Sequence, residues 1–224
     1  MTEIPHSAPD LEQIYRQRFS GMLEYRKEVW RVLTSRFFSR WISPDAAVLD
    51  LGCGYCEFIN SISARKKYGM DLNPDARKNA ARDVVVFEQD CSMPWPLEEG
   101  SLDVVFTSNF FEHLPTKTHL EKTLQQAWLS LKKGGAIIAM GPNIKYLPGA
   151  YWDFYDHHIA LTELAMVEVM TKCGFTIDMM KPRFLPYSMS NGTNYPVWIL
   201  RLYLLMPPVW PLFGKQFLII GRKA

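Results

Sequence analysis

Short apolar runs recur through the middle of the chain: AAVLDLG (46–52), KKYGMDL (66–72), VVVFEQD (84–90), LDVVFTSN (102–109) and GAIIAMG (135–141). Each is too short for a typical helix and most are apolar at successive positions, with Val and Ile prominent in the last three, which is the pattern of a strand buried on both faces. The stretches between them carry apolar residues three and four apart and predict helices. One starts near Cys56, one covers 73–81 with Asn73 as cap and Pro74 at the first helical position, and one covers 118–131. Strand and helix alternating in this way predict a doubly wound α/β fold, a mainly parallel sheet with helices on both faces.

The flanks differ. Residues 9–41 place Leu11, Ile14, Phe19, Met22, Trp30, Leu33 and Phe37 at mixed three- and four-residue intervals, which predicts one or two amphipathic helices before the first strand. After 141 the pattern loosens into NIKYLPGAYWDFYDHHIAL. A helix over 162–173 follows, with Thr162 as N-cap and Gly174 as its stop, then the strand FTIDMM (175–180). Residues 195–213 are strongly apolar and aromatic, and KQFLIIGRKA closes the chain as a last strand. The expected organisation is one domain over 1–224: a helical lid (1–42), a binding core (46–183), an apolar segment on the substrate side (184–215) and the last strand (216–224).

Composition narrows the function. With 224 residues, 48% of them hydrophobic, the chain can bury a full core. A formal net charge of +2 with both signs scattered gives no basic field of the kind nucleic-acid binders use, so no nucleic-acid partner is expected. The N-terminal residues are polar, without an apolar stretch after a basic start, and the expected location is cytoplasmic. Of the cysteines at 53, 56, 91 and 173, only Cys53 and Cys56 have metal-like spacing, and no second pair accompanies them. They read as reduced thiols. No HExxH-like pattern joins the histidines, so the motifs indicate no metal.

The first strand runs into DLGCGYCE (50–57). A dinucleotide turn needs a third glycine where Glu57 stands, and a carboxylate there repels a pyrophosphate. No GK[ST] follows, so a P-loop is also absent. A ligand with adenosine but no phosphate fits better. Asp71, ending the second strand, can accept from ribose hydroxyls; Asp90, ending the third, can accept from an adenine amino group; Asp50 precedes the glycines as an anchor for the turn or for an ammonium group.

Together DLGCG, GMDLNPD, FEQDCSMPWPLEEGSLDVVF, SNFFEHL, LKKGG and the late GF strand resemble the class I S-adenosylmethionine-dependent methyltransferases over roughly residues 46–180. YWDFYDHHIALTE and PRFLPY resemble a bacterial small-molecule, methyltransferase type 11-like subgroup. The resemblance implies a seven-stranded sheet with an antiparallel last strand, S-adenosyl-L-methionine as cofactor and S-adenosyl-L-homocysteine as product. It assigns Gly52, Cys53 and Gly54 to the turn beside the methionine moiety, Asp71 and Leu72 to the ribose side, Asp90 with Cys91 to the adenine, and Asn109 to the sulfonium. Many members carry a third small residue where Cys56 stands.

Methyl transfer from a sulfonium is an in-line displacement that depends on alignment in a water-poor site, and a hydroxyl acceptor must also lose its proton. Asp156-His157-His158 lies after the fifth strand, so His157 and then His158 are the expected bases. His113 reads as a helix-start or adenine-lid residue, and Phe154 as core. Tyr151, Trp152 and Tyr155 are expected to wall a small-molecule acceptor, while Tyr15, Arg18 and Arg26 fold over the cofactor or, for Arg26, lie on a solvated face. O-methylation of a glycan, lipid-linked or secondary-metabolite intermediate is the first expectation. N-methylation, a noncatalytic S-adenosylmethionine-binding subunit and a dehydrogenase are the rivals. Arg201 and Pro207, Pro208 and Pro211 break the 195–213 stretch too often for a bilayer span, and it reads as a cover on the substrate side or a weak contact with a membrane surface. Oligomeric state stays open.

Overall fold

The computed structural model describes residues 21–187 and 195–224. Seven strands, β1 (Ala47–Leu51), β2 (Lys66–Met70), β3 (Val84–Phe87), β4 (Leu102–Ser108), β5 (Leu131–Pro142), β6 (Phe175–Lys181) and β7 (Gln216–Lys223), form one sheet in the order β3-β2-β1-β4-β5-β7-β6. The first five pair in parallel, and β7 lies antiparallel between β5 and β6. All five residues of β1 are buried, as its unbroken apolar pattern requires of a strand covered on both faces.

The predicted strands appear with shifted ends. β3 stops at Phe87 instead of 90, and β5 begins at Leu131 instead of 135. The latter pairs Leu131 with Leu102, and the register then slips before Val104 meets Ala136. Gly134, at φ +77°, takes up the extra length there, so the glycines bend a continuing strand rather than start one.

Helix α1 (Leu23–Arg36) leads into a 3₁₀ turn at Phe38–Arg40. It buries Trp30 edge-on against Phe58 and Phe106, which stack on each other at 3.6 Å between centroids. Phe58 belongs to α2 (Glu57–Ser61), and α3 (Asp75–Asn79) follows β2. Here the cap is shifted by one residue: Pro74 holds the cap position, and Asn73 Oδ1 accepts from the Asp75 amide at 2.9 Å. The opposite face is covered by α4 (Lys117–Ser130), capped by Thr116, and α5 (Glu163–Lys172). Thr162 caps α5 through the Ala165 amide and Gly174 (φ +95°) follows its end, both as the sequence predicts.

The apolar stretch before the last strand folds as α6 (Val197–Leu205), a 3₁₀ turn at Pro207–Val209 and α7 (Trp210–Phe213), packed beside α1. Tyr203 donates to Phe184 O at 2.5 Å, and Trp210 Nε1 donates to Tyr203 O at 2.9 Å. These two aromatics anchor the segment. No helix among the described residues is long and apolar enough to cross a membrane.

Candidate active site

The sheet winds in opposite directions from β1, toward β2 and toward β4, and such a switch point opens a crevice at the carboxyl ends of the strands. The glycine turn lies there. Gly52 (φ +70°), Gly54 (φ +49°) and Cys56 (φ +62°) all take left-handed backbone, which costs a residue with a Cβ roughly 1–2 kcal/mol. The need for a small residue at 56 is therefore conformational. Cys56 is fully buried, its Sγ 3.7 Å from that of Cys53, and both thiols are free. The amides of Gly52 and Cys53 donate to Met70 O at 2.8 and 3.2 Å, which ties the turn to the end of β2. A Cβ on Gly52 would stand 2.2 Å from Phe110 Cγ, so only glycine lets that ring close over the turn.

Asp71 braces the same turn. Its Oδ2 accepts from the Gly54 amide at 2.7 Å and its Oδ1 from the Asn73 amide at 2.8 Å. Burial pushes its pKa up against the pull of these amides and of His113. A carboxylate oxygen has two lone pairs, so each retains capacity for a ribose hydroxyl. Asp50 is buried, and burial together with the Glu57 charge holds its pKa well above the usual carboxylate range, although the Ile59 amide opposes this. Glu57 is itself buried and accepts from Arg26 Nε at 2.6 Å. Arg26 thus reaches from α1 down to the turn instead of lying on a solvated face. Tyr15 and Arg18 lie outside the described residues.

On the adenine side expected from the sequence, Asp90 Oδ1 accepts from the Ser92 amide at 2.8 Å. Cys91 is buried beside Thr123 Oγ1 at 3.2 Å, and burial pushes its thiol up to about 12. Leu72 is exposed. Asn109 follows β4 at φ +50°, its Nδ2 donating to Ser108 Oγ at 3.0 Å, and its buried Oδ1 has no hydrogen-bond partner among the described residues. A glycine cradle that a Cβ would fill, an orphaned acceptor in Asn109 and the four carboxyl groups of Asp50, Glu57, Asp71 and Asp90 against one guanidinium suit a cationic ligand without phosphates. The residues present fit S-adenosylmethionine.

Beside the crevice stands a second group that sequence spacing did not reveal. A 3₁₀ turn at Phe111–His113 directly after β4 presents Glu112 and His113, and the loop after β5 brings Asp156 and His157 to them. His113 Nδ1 lies 3.1 Å from Asp156 Oδ2 and 3.0 Å from Asp156 O, while His113 Nε2 is 3.9 Å from Glu112 Oε1. The His157 ring meets His113 edge-on at 4.8 Å and stacks on Phe154 at 5.0 Å. Burial raises Glu112 to about 7 against the attraction of His113. Burial also disfavours the charged form of His113, but the Asp156 hydrogen bond and the Glu112 and Asp156 charges outweigh it and raise its pKa.

Backbone bonds hold this loop on the turn: the amides of His158 and Ile159 donate to Glu112 O at 2.8 and 3.2 Å. Tyr151, expected at the acceptor wall, is instead fully buried, its hydroxyl donating to Ile159 O and accepting from the Leu161 amide at 3.2 Å. A phenol satisfied in this way is an internal post for the loop. Trp152 and Tyr155 are exposed. His157 is buried within the cluster, whereas His158 is exposed, since adjacent residues of an extended loop point to opposite sides. Glu112 is a candidate the sequence reading missed, and His113, expected as a helix-start or adenine-lid residue, lies in the same cluster. Their only signal is an adjacent Glu-His pair at a strand end, which reads equally as a helix start. A separate cleft of about 360 Å³, lined in part by Trp41, Asp103 and Lys132, opens at the amino ends of the strands, where Lys132 neutralises Asp103 at 2.7 Å.

Comparison with known proteins agrees with this geometry. The model of a methyltransferase domain matches residues 22–179. The 27-O-demethylrifamycin SV methyltransferase of Amycolatopsis mediterranei (strain S699) is 31% identical over 101 residues, which are 40% of this chain and only 36% of that protein. Among solved structures, a SAM-dependent methyltransferase from Archaeoglobus fulgidus superposes with a TM-score of 0.66 at 20% identity, over 92% of this chain and 99% of that one. A Haloferax volcanii complex between the Trm112 methyltransferase activator and a methyltransferase gives a chain with a TM-score of 0.67 at 16% identity, over 93% and 94%. The match to the family model over most of the chain, on a seven-stranded sheet of this order, establishes that this chain belongs to the methyltransferase-domain family and is a class I S-adenosylmethionine-dependent methyltransferase.

Proposed function

We propose that the protein methylates a hydroxyl of a small-molecule acceptor, of the glycan, lipid-linked or secondary-metabolite kind. The observation that carries this reading is the His113–Asp156 pair at 3.1 Å, flanked by buried Glu112 and His157, beside the crevice. A hydroxyl is a poor nucleophile until its proton leaves, and a histidine oriented by a carboxylate is a common means of taking that proton. With Nδ1 engaged by Asp156, His113 presents Nε2 as the working atom. Asp156 fixes the tautomer, and Glu112 and His157 complete the polar group. The curated relative methylates an oxygen by its name, which is in keeping with this reading.

Asp71 would hold the ribose, Asp90 with Cys91 the adenine, Gly52 to Gly54 the methionine moiety, and Asn109 Oδ1 the sulfonium side. The cofactor, when bound, supplies an electrophilic methyl group; the chain aligns the acceptor and excludes water. Asp71→Ala is expected to weaken S-adenosylhomocysteine binding by about 1.5–3 kcal/mol, the range of hydrogen bonds to charged groups, read by calorimetry on the folded variant. An unchanged affinity removes Asp71 from the site.

The reading is tested by offering S-adenosylmethionine with matched panels of hydroxyl and amine acceptors and locating the new methyl by NMR. Methyl on oxygen supports it. Methyl on nitrogen alone replaces it with the N-methyltransferase alternative, and absence of turnover with intact cofactor binding favours the noncatalytic one.

The acceptor side also faces a lipid surface in this reading. Trp198, Leu202, Leu205, Leu212 and Phe213 of α6 and α7 are exposed, and residues 181–215 carry Lys181, Arg183, Arg201 and Lys215 but no carboxylate side chain. Exposed large apolar groups on a cationic, acid-free segment suit an anionic interface. Flotation with phosphatidylcholine vesicles containing phosphatidylglycerol is expected to capture the protein, and Trp198→Asp with Leu205→Asp to release it. Equal behaviour of the variant and the parent protein rejects the contact.

A further inference from the structure

The structure assigns Glu112, His113 and His157 as a binding site for one divalent transition-metal ion, with Zn2+ and Mn2+ as the fitting class. Each residue offers one ligand atom, and these atoms all lie within 4.8 Å of one another. Two ligands of a tetrahedral ion at about 2.0 Å stand about 3.3 Å apart, so small side-chain rotations of the order of an ångström close the set. The His113 Nε2 to Glu112 Oε1 distance is 3.9 Å, too long for a hydrogen bond and near the separation of two ligands that share an ion.

Three further features separate this group from an ordinary polar cluster. Glu112 is 1% exposed, and its Oε1 has no hydrogen-bond partner among the described residues, which is costly for a buried carboxylate. A cation would satisfy it. His113 Nδ1 is held by Asp156, and a metal-ligating histidine almost always gives its other ring nitrogen to a carboxylate or carbonyl in this manner. The loop that delivers His157 is pinned to the turn by the bonds to Glu112 O and by buried Tyr151, so the third ligand arrives on a supported backbone. Two imidazoles and one carboxylate are a donor set of catalytic zinc sites and of related divalent ions, and leave coordination positions open for an acceptor.

The binding claim stands on these residues alone, while its chemical role rests on the hydroxyl reading above. A divalent ion at this point acidifies a hydroxyl that reaches it, the proton passing to solvent, and the oxygen gains the electron density needed to attack the methyl carbon. His113 then acts as a ligand through Nε2, and Asp156 is a positioning residue.

The test uses the full chain, stripped with EDTA and dialysed, and titrated with Zn2+, Mn2+ and Mg2+ by calorimetry, with Co2+ absorption as a spectroscopic readout. One equivalent of Zn2+ or Mn2+ is expected. Glu112→Gln and His157→Ala should each weaken it at least 100-fold, and Asp156→Asn 10–100-fold, with S-adenosylhomocysteine binding retained as proof of folding. The near-isosteric Glu112→Gln keeps the test valid where His157→Ala does not fold. Absence of stoichiometric binding, or binding indifferent to Glu112→Gln, overturns the inference. Hydroxyl methylation that persists in EDTA without bound ion also overturns it and leaves O-methylation standing. A bound ion lost on Glu112→Gln in an enzyme that methylates only amines supports the site and overturns the hydroxyl reading.

Discussion

Replacing His113 by alanine is expected to lower kcat on a hydroxyl acceptor by about 10²–10⁴-fold, the usual contribution of a positioned proton-transfer group, with S-adenosylhomocysteine affinity unchanged. In the proposed reading the loss falls on kcat because His113 Nε2, as base or as ligand of an ion, serves the acceptor oxygen, while Asp71 braces the Gly54 amide of the proposed cofactor turn at 2.7 Å. Asp156→Asn should fall between the two. The backbone oxygen of Asp156 still holds Nδ1 at 3.0 Å, but the neutral amide loses the carboxylate charge that stabilises the protonated imidazole. Single-turnover rates measured with saturating cofactor check both variants. A His113→Ala protein within threefold of the parent would make the pair a structural clasp for the loop and nothing more.

The second large effect concerns stability. Arg26→Ala is expected to lower the unfolding free energy by about 3–5 kcal/mol, the cost of leaving one member of a buried ion pair alone. The Glu57 side chain is 5% exposed and its Arg26 partner 13%, so water cannot replace the lost guanidinium. Asp50 raises the cost further, since its own pKa is already pushed up by burial and by Glu57. Urea denaturation of Arg26→Ala, Glu57→Gln and the double variant forms a cycle in which the double variant should recover much of the loss. A cost under about 1 kcal/mol for Arg26→Ala would mean that the turn holds Glu57 without the pair.

Other parts of the molecule show where reading the chain succeeds. The strands were legible because a strand covered on both faces leaves an unbroken apolar run, and the caps Thr162 and Gly174 because capping chemistry is local. The ends of β3 and β5 were not. The four-residue discrepancy at Leu131 arises because pairing with Leu102 extends the strand through a glycine bend, and a neighbouring strand leaves no mark on the sequence of its partner. The burial of Tyr151 was not legible for a related reason: an aromatic in a loose, polar stretch reads as a surface group until the two backbone partners of its hydroxyl are known.

The two halves of the site divide along the same line. The glycine turn, Asp50 and Asp71 sit at the ends of β1 and β2 and Asp90 three residues past β3, all local to their βα units, so sequence alone determined the fold class and the cofactor class. The His113–Asp156 pair spans 43 positions, and Glu57 meets Arg26 across 31. Only the tertiary structure decided those partners, because the choice depends on which loop packs against the end of β4 and which helix covers the turn. These are outcomes of burying large apolar faces, and the polar groups carried on them meet as a consequence.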